Sequence, residues 1–541
     1  ILQVGKLPAE TRIIQESLVG PSLGQKNIER SIRALLIGFT LVFLFMVFYY
    51  GGGGIVSILA LFMNIFFIFG ALASLGTVLT LPGIAGIVLT IGMAVDANVI
   101  IYERIREELR EGKSVLNAIA DGFKHSYSAI IDANITTFLT AVVLFYFGLG
   151  PIKGFAAVLM VGVVFSVFTA VLVGKLIIDW WTSKGKDISF STKSSANAFA
   201  NLGIDWLGKR RIAYVVSGTI LALGITSFFV RGFELGVDFK GGYSYNITFE
   251  QNQSVDAETL RSALTTAFEG STPTVKVVDT DNTFNVVTDY QVDNTDENAA
   301  DLVMTALHQG INSAVGADID FDQFKNPDGT GTHVESSSKV GPTIADDIKN
   351  SSYEAAIIAL LLIFLYILFR FSKWQYSAGA IAALFHDVLI TLSFFSIFHG
   401  ILPFSMEIDQ NIVAAVLTVI GYSINDTVVV FDRIREFMNM YTKRDKEELI
   451  NMAINSTISR TIITSLTTLF VVAILFFFGG ASIKGFAFAL LIGIMVGTYS
   501  SVFVATPIMS DLSGDLTAKE KAKGKASFSQ AAAKAKSFTV K

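Results

Sequence analysis

Four side chains in this sequence could do chemistry, and all four sit in stretches otherwise too apolar to carry charge. Asp426 lies inside IVAAVLTVIGYSINDTVVVFDRIRE (412–436), roughly two helical turns before the basic pair Arg433 and Arg435. At about 1.5 Å per residue that spacing buries it within the hydrocarbon layer of a bilayer. Asp96 lies in GMAVDANVIIYERIREEL, which begins at Gly92, and Arg460 and Thr464 stand four apart in SRTIITSLTT, so they share one helix face. Ionisable groups at that depth are costly, and they mark either ion and proton pathways or polar contacts that glue helices together. An arginine beside Asp426 would hold it ionised, and withdrawing the arginine would let the proton return, a carboxylate switch that couples protons to motion. Switch and glue both stay open for Asp426 and Asp96, and Arg460 has the further option of snorkelling to the nearby surface.

Other polar residues fall in apolar stretches too: Asn98, Asp132, His386, Asp387 and Asn425. Asp132 reads as a brace between helices. Adjacent His386 and Asp387 cannot make a metal site alone and read equally as packing or as a secondary proton relay. Arg104, Arg106, Arg433 and Arg435 read first as topology anchors.

The elements that must position these residues are membrane spans. The 541 residues are 52% hydrophobic with a mean hydropathy of +0.56, far above a soluble domain. Apolar runs of spanning length recur at 32–50, 55–74, 79–101, 126–147, 152–178, 212–230, 355–371, 376–398, 412–434, 458–478 and 483–507. The fold expected is an α-helical polytopic membrane protein of about eleven transmembrane helices, with one small α+β, ferredoxin-like external domain. Residues 1–30 read as the tail of an external domain, 31–182 as a five-span half and 183–211 as a polar cytoplasmic linker. Residues 212–230 form a single span, 231–349 the external α+β domain, 350–510 a second five-span half and 511–541 a basic, disordered tail. The segment YERIREELREGKSVLNAIADGFK reads as a charged amphipathic stretch between two spans, and glycines 51–54 as a tight external turn rather than a phosphate loop. Lys and Arg cluster at 104–110, 175–211, 370–373 and 433–446 and in the tail, all on one side, which the positive-inside rule makes cytoplasmic. The domain at 231–349 holds roughly twenty acidic residues against a handful of basic ones, and faces outward.

Absence of cysteine excludes disulfides and thiolate sites, and five dispersed histidines disfavour zinc. No nucleotide loop or nucleophile elbow is present, so an enzyme is disfavoured and no cofactor is expected. The sequence begins at Ile1 without an initiator Met or signal peptide and is expected to be a piece lacking an N-terminal part.

The chain also repeats itself about 330 residues on. GMAVDANVIIYERIREEL aligns without gaps on GYSINDTVVVFDRIREFM from Gly421, and ITTFLTAVVLFYFGLGPIKGFA aligns on LTTLFVVAILFFFGGASIKGFA. Both copies cross the membrane in the same sense, making two pseudo-symmetric parallel repeats, and transporters place coupling sites at such an interface. Asp96 aligns with Asn425, one position from Asp426, and Arg460 replaces an alanine.

These motifs carry a resemblance. GMAVDANVIIYERIREE resembles the fourth membrane span of SecD. GVDFKGG (236–242), VGPTI (340–344), ALFHDVLITL and VLTVIGYSINDTVVVFDRIRE resemble stretches of SecF, and LVGPSLGQKNIERSI resembles the exit from SecD's external domain. Nearly the whole chain is similar to the SecD/SecF family in its fused arrangement, lacking the first span and most of the first external domain. The resemblance implies a Sec translocase accessory of the RND superfamily that uses the proton-motive force in late export. It implies residence in the bacterial plasma membrane, with Asp96, Asp426, Arg460 and Thr464 as the proton pathway. Implied partners are the SecYEG channel, SecA-driven preproteins, YajC and YidC, membrane lipids and protons, and no nucleic acid. The alternative is an RND-type proton-driven exporter of lipid or small molecules.

Overall fold

The computed structural model describes residues 15–513, except 78, 200–201, 251–252, 254, 280–281, 295, 297, 403 and 442. The expected basic tail from 514 on, and residues 1–14 of the expected N-terminal domain tail, lie outside the described residues. Among the described residues, eleven helices are long and apolar enough to cross a membrane. The first half supplies α1 (Pro21–Tyr50), α2 (Gly52–Ser74), α3 (Leu81–Arg110), α4 (Val115–Phe147) and α5 (Pro151–Ser183). The single span is α6 (Arg210–Arg231). Two short helices of the soluble domain follow, α7 (Ala257–Ala267) and α8 (Ala299–Val315). The second half supplies α9 (Pro342–Phe371), α10 (Trp374–Phe398), α11 (Gln410–Met440), α12 (Lys446–Phe478) and α13 (Ala481–Leu512).

Several helices outrun their apolar stretches because charged ends are satisfied in water and capped. Asp409 Oδ1 accepts from Ile412 N at 3.0 Å to start α11, and Asp445 with Glu447 and Glu448 starts α12. The charged stretch after the third span is therefore not a separate element: it is shared between the end of α3 and the start of α4. The turn at Gly51, expected to be external like the sheet domain, does not lie at the end of the bundle that carries that domain. It lies at the linker end of the bundle, where Gly53 N donates to Ser189 O at 2.8 Å, because α1 enters from the opposite end and reaches the linker side by Tyr50. In the expected linker, 183–211, several of the described residues pack on the bundle. Ile188 and Phe190 are buried, and Trp206 and Leu207 donate backbone N–H groups to Asn451 Oδ1 at 2.9 and 3.1 Å.

Helices α3 and α11 are the most deeply buried spans, and each packs on a helix of the other half, α3 on α12 and α11 on α4. The crossings are close because each presents a glycine to a threonine. A Cβ on Gly92 would lie 2.9 Å from Thr468 Cα, and one on Gly421 2.2 Å from Thr140 Oγ1 and 3.3 Å from Thr137 Cα. Gly92 and Gly421 are repeat counterparts, as are Thr137 and Thr468, so the contact obeys the internal pseudo-symmetry. Both halves also carry a π-helical turn in the last span, at Thr169–Val173 and Ser501–Ala505.

The soluble domain is βαββαβ. Strands β2 (Gly242–Thr248), β3 (Thr274–Asp279), β4 (Thr283–Thr288) and β5 (His333–Val340) run antiparallel, with α7 and α8 covering one face. A further edge strand, β1 (Gln15–Val19), pairs with β5 in register Gln15 to Val340, giving the sheet order β1-β5-β2-β4-β3. The segment before α1, expected as the tail of another domain, thus closes an edge of this one. The domain is fastened to the head of α11. Leu235 bridges Ile408, Lys276 Nζ pairs with Glu234 at 2.7 Å and Glu407 at 2.5 Å, and Gln410 N donates to Asp238 Oδ2 at 3.2 Å. Burial, reinforced by the neighbouring Asp238 carboxylate, pushes the Asp409 carboxyl up from 3.8 to about 7.

Two outcomes follow. Gly421→Ala drives a methyl into Thr140 and is expected to cost about 1–3 kcal/mol, read as a lower melting temperature in detergent, with Thr140→Ala in the same chain recovering part of it. Ionising Asp409 opposes folding, so its contribution is fully favourable below about pH 4 and is lost as pH rises towards 7. Asp409→Asn keeps a capping oxygen, so melting temperatures at acid and neutral pH are expected to differ less in the variant than in the native chain.

Candidate functional site: an intramembrane carboxylate–arginine cluster

Asp96 on α3 and Asp426 on α11 line one cavity of about 30 Å³, together with Arg460 and Thr464 on α12, Tyr422 and Asn425 on α11 and Asn134 on α4. A polar space of that size accommodates a water molecule. Asp426 accepts from Ser465 Oγ at 3.3 Å, and Ser465 is in turn bonded to Thr498 of α13. Asp96 Oδ1 is buried with no hydrogen-bond partner among the described residues. Tyr422, one turn before Asp426, donates to Thr464 O at 3.2 Å and Thr468 Oγ1 at 3.1 Å, and its ring closes the site beside Asp96. Arg460 exerts its charge on both carboxylates. Yet no ion pair within 4.0 Å joins it to either one among the described residues. Two carboxylates and one standing-off guanidinium around a small polar space can exchange a proton without forming a fixed salt bridge, which would hold one charge state.

Sequence reasoning put Thr464 in this group for its spacing from Arg460. It does line the cavity, but its hydroxyl donates to the Arg460 and Thr461 carbonyls of its own helix at 3.1 Å each. Ser465 is the hydroxyl that reaches Asp426. Tyr422 and Ser465 went unnoticed, although Tyr422 stands four residues before Asp426 and so shares its face. Asn425 is turned away from the pair, its amide 2.9 Å from Thr136 Oγ1 and 2.7 Å from Ala133 O on α4, and so ties the halves together.

The remaining polar residues lie elsewhere. Asp132 accepts from Tyr366 Oη at 2.7 Å and Arg370 Nε at 2.6 Å, and Arg370 reaches Asp432 at 3.3 Å, a bracket across α4, α9 and α11. His386 Nδ1 lies 3.0 Å from Asp387 Oδ1, and its Nε2 lies 3.0 Å from Ser217 Oγ on α6. Asp387 also accepts from Ser423 at 2.6 Å and Ser500 at 2.8 Å, so this cluster fixes α10 to α11 and α13 just before the second π turn. Among the described residues, Asn98 donates to Ala94 O, at 3.4 Å, on its own helix. Among the described residues, no group of three or more His, Asp or Glu is placed to hold a metal.

Among the described residues, eleven spans in two parallel repeats, crossing around paired carboxylates and an arginine, define a polytopic membrane protein of two pseudo-symmetric halves. The chain matches the family described as "Protein export membrane protein SecD/SecF, C-terminal" over residues 3–184 and 322–515, and the SecD/SecF GG motif over 226–253. It is 34% identical to the protein translocase subunit SecDF of Brucella abortus, over 94% of this chain and 64% of that protein. It is 44% identical to the protein translocase subunit SecF of Rhodothermus marinus, over 60% of this chain and 97% of that one. The crystal structure of SecDF from Thermus thermophilus superposes with a TM-score of 0.80 at 35% identity, over 92% of this chain and 64% of that chain. The chain belongs to the SecD/SecF family. It spans 64% of the length of the Brucella relative.

Arg370→Ala leaves the Asp132 carboxylate without its cation and is expected to cost about 3 kcal/mol of stability. Adding Asp132→Asn should recover most of that loss in detergent melts, the signature of a bracket rather than of a proton site.

Proposed function

We propose that this chain supplies the membrane machinery of an accessory subunit of the Sec preprotein translocase, which uses the proton-motive force to promote late steps of export across the bacterial plasma membrane. The observation that carries the reading is the meeting of Asp96 and Asp426, one from each repeat, in a cavity flanked by Arg460. A proton bound there removes a buried charge, and its departure restores one. Each event changes how strongly α3, α11 and α12 attract one another, and that is the physical basis for converting proton flow into motion between halves. The named translocase subunits among its relatives favour preproteins as cargo over lipid or small molecules. In this reading the SecYEG channel is the partner, SecA-driven preproteins are the substrate, and YajC and YidC are neighbours. The Lys- and Arg-rich linker end faces the cytoplasm and the acidic sheet domain faces outward. The work comes from the gradient and not from a reaction that the chain catalyses.

Export of a secretory protein into vesicles carrying this chain within its full-length subunit, native against Asp426→Asn, tests the reading with and without a proton gradient. The variant is expected to lose the gradient-dependent part of export and keep the remainder. Equal export by both proteins under both conditions would reduce Asp426 to a contact between helices.

A further inference from the structure

Where the sheet domain meets the heads of α1 and α13, the seam encloses a cavity of about 30 Å³. Thr283 and Glu335 reach it from the sheet face turned away from α7 and α8, Lys26, Asn27 and Arg30 from α1, and Ser482 from α13. Three features of this wall favour an anion. Lys26, Arg30 and, a turn further on, Arg33 stand at i, i+4 and i+7, one basic row on α1. The row lies at the sheet end, against the bias that gathers Lys and Arg at the linker end. Asn27 is 4% exposed, yet its Nδ2 has no hydrogen-bond partner among the described residues.

The third feature is the start of α13, against which the Asn27 amide lies: a Cβ on Gly480 would fall 2.5 Å from Asn27 Oδ1. Gly480 is the N-cap and offers no side-chain oxygen, and the first turn holds no acid, whereas α11 and α12 begin on Asp409 and Asp445. The repeat puts Pro151 where Ser482 stands, and proline has no N–H to leave open, so this opening belongs to the second half alone. The position of the cavity decides which anion it meets. On α1 the basic row runs between the buried face of Asn27, Ser31 and Ala34 and an exposed apolar face of Ile28, Ile32 and Leu36. A lipid lying along that apolar face brings its headgroup level with Lys26 and Arg30. Two carboxylates stand near, Glu335, which accepts from Thr248 Oγ1 at 3.2 Å, and Glu29, which accepts from Gln25 Nε2 at 3.0 Å. The three cations outnumber them.

We propose that this seam binds a phospholipid of the leaflet at the sheet end. Its phosphate oxygens enter between Lys26, Arg30, the Asn27 amide and the open start of α13, and its acyl chains lie along Ile28, Ile32 and Leu36. The cavity is sized for phosphate oxygens and leaves the rest of the headgroup outside. A phosphate supplies the acceptor that the Asn27 amide lacks and that an uncapped helix start needs. Because α1, α13 and the sheet all border the cavity, the bound lipid fastens the soluble domain to both halves of the bundle.

The test titrates the delipidated chain, within its full-length subunit in detergent micelles, with phosphatidylglycerol, with diacylglycerol of the same acyl chains and with inorganic phosphate. Melting temperature and lipid retained in native mass spectra are read. Phosphatidylglycerol is expected to raise the melting temperature by several degrees and to stay bound, while neither of the other two reproduces the effect. Lys26→Gln with Arg30→Gln should raise the half-saturating amount of phosphatidylglycerol about tenfold, and Asn27→Ala severalfold. Lys186→Gln, exposed at the linker end, should leave it unchanged. Where the double variant does not give a monodisperse protein, Lys26→Gln alone, at an exposed position, carries the test. Equal stabilisation by diacylglycerol or by inorganic phosphate would overturn the assignment to a phospholipid phosphate. Undiminished binding in the Lys26, Arg30 and Asn27 variants would place the lipid elsewhere and overturn the site. Neither readout involves export or a proton gradient, so failure here is distinct from failure of the Asp426→Asn export test.

Discussion

A carboxylate held inside an apolar layer must be matched by a polar neighbour, and the helices that bring the neighbour must approach closely enough to exclude lipid. That constraint governs this structure. Asp96 and Asp426 come from different halves and meet only because α3 and α11 lie at the centre of the bundle. Glycine–threonine crossings seat α3 on α12 and α11 on α4, and the side chain of Arg460 arrives from α12. Peripheral spans such as α1, α6 and α9 carry the large exposed apolar side chains, among them Phe48, Phe229 and Phe369, that suit a lipid-facing ring. The polar centre therefore dictates which helices are buried.

The repeat is informative where it fails. Counterparts that shape the backbone, Gly92 with Gly421 and Thr137 with Thr468, are retained, so both halves keep the same close crossing. Counterparts at the site itself differ. Asn425 occupies the position of Asp96 and is spent on Thr136 and Ala133, while the acid moves one place to Asp426. Arg460 takes the position of Ala129, and Asp132 has Ile463 opposite it. One acid–arginine cluster at the interface, rather than two equivalent ones, gives the paired carboxylates asymmetric surroundings, and under the proposed function that asymmetry is what would let protonation favour one arrangement of the halves over another.

Much of this was legible beforehand for physical reasons. Spanning length, basic flanks and intramembrane charge are properties of composition and period, so the spans, the repeat and the aspartate–arginine set could be read from the chain alone. Strands β2, β3 and β4 alternate apolar residues and were legible too, whereas β5 reads HVESSSKV, whose serine run gives no such pattern, and β1 is exposed at every residue. Pairing across distant segments lies outside any local pattern, which is why neither the pairing of residues 15–19 with β5 nor the bonds from Trp206 and Leu207 to Asn451 were legible. Side-chain direction was equally hidden. Spacing puts Thr464 and Ser465 on neighbouring faces of α12, but only the packed helix decides that Thr464 turns to its own carbonyls while Ser465 serves Asp426. His386 and Asp387 read equally as packing or as a relay, and their partners Ser217, Ser423 and Ser500 tie them to four spans.

The His386–Asp387 cluster and the sheet domain act on the same helix from different ends. Asp387 grips α11 at Ser423, one turn before Asp426, and the segment around GVDFKGG grips its head through Asp238 and the preceding Leu235–Ile408 bridge. The same segment needs glycine where it enters the sheet: a Cβ on Gly242, at φ +123°, would fall 2.4 Å from Thr288 O of β4. A helix is stiff along its axis, with every backbone group bonded to the next turn. Any tilt or rotation of α11 that accompanies proton binding at Asp426 is therefore delivered to Asp409 and Gln410, and through them to the five-stranded sheet. The same rigidity works in reverse, since a load applied to the sheet domain bears on α11, so under the proposed function it would bear on the protonation of Asp426, the reciprocity that any coupling between two sites must obey. A soluble domain hung from a flexible tether could not transmit force in either direction, whereas the short bonded junction at residues 234–242 and 407–410 couples the domain mechanically to α11.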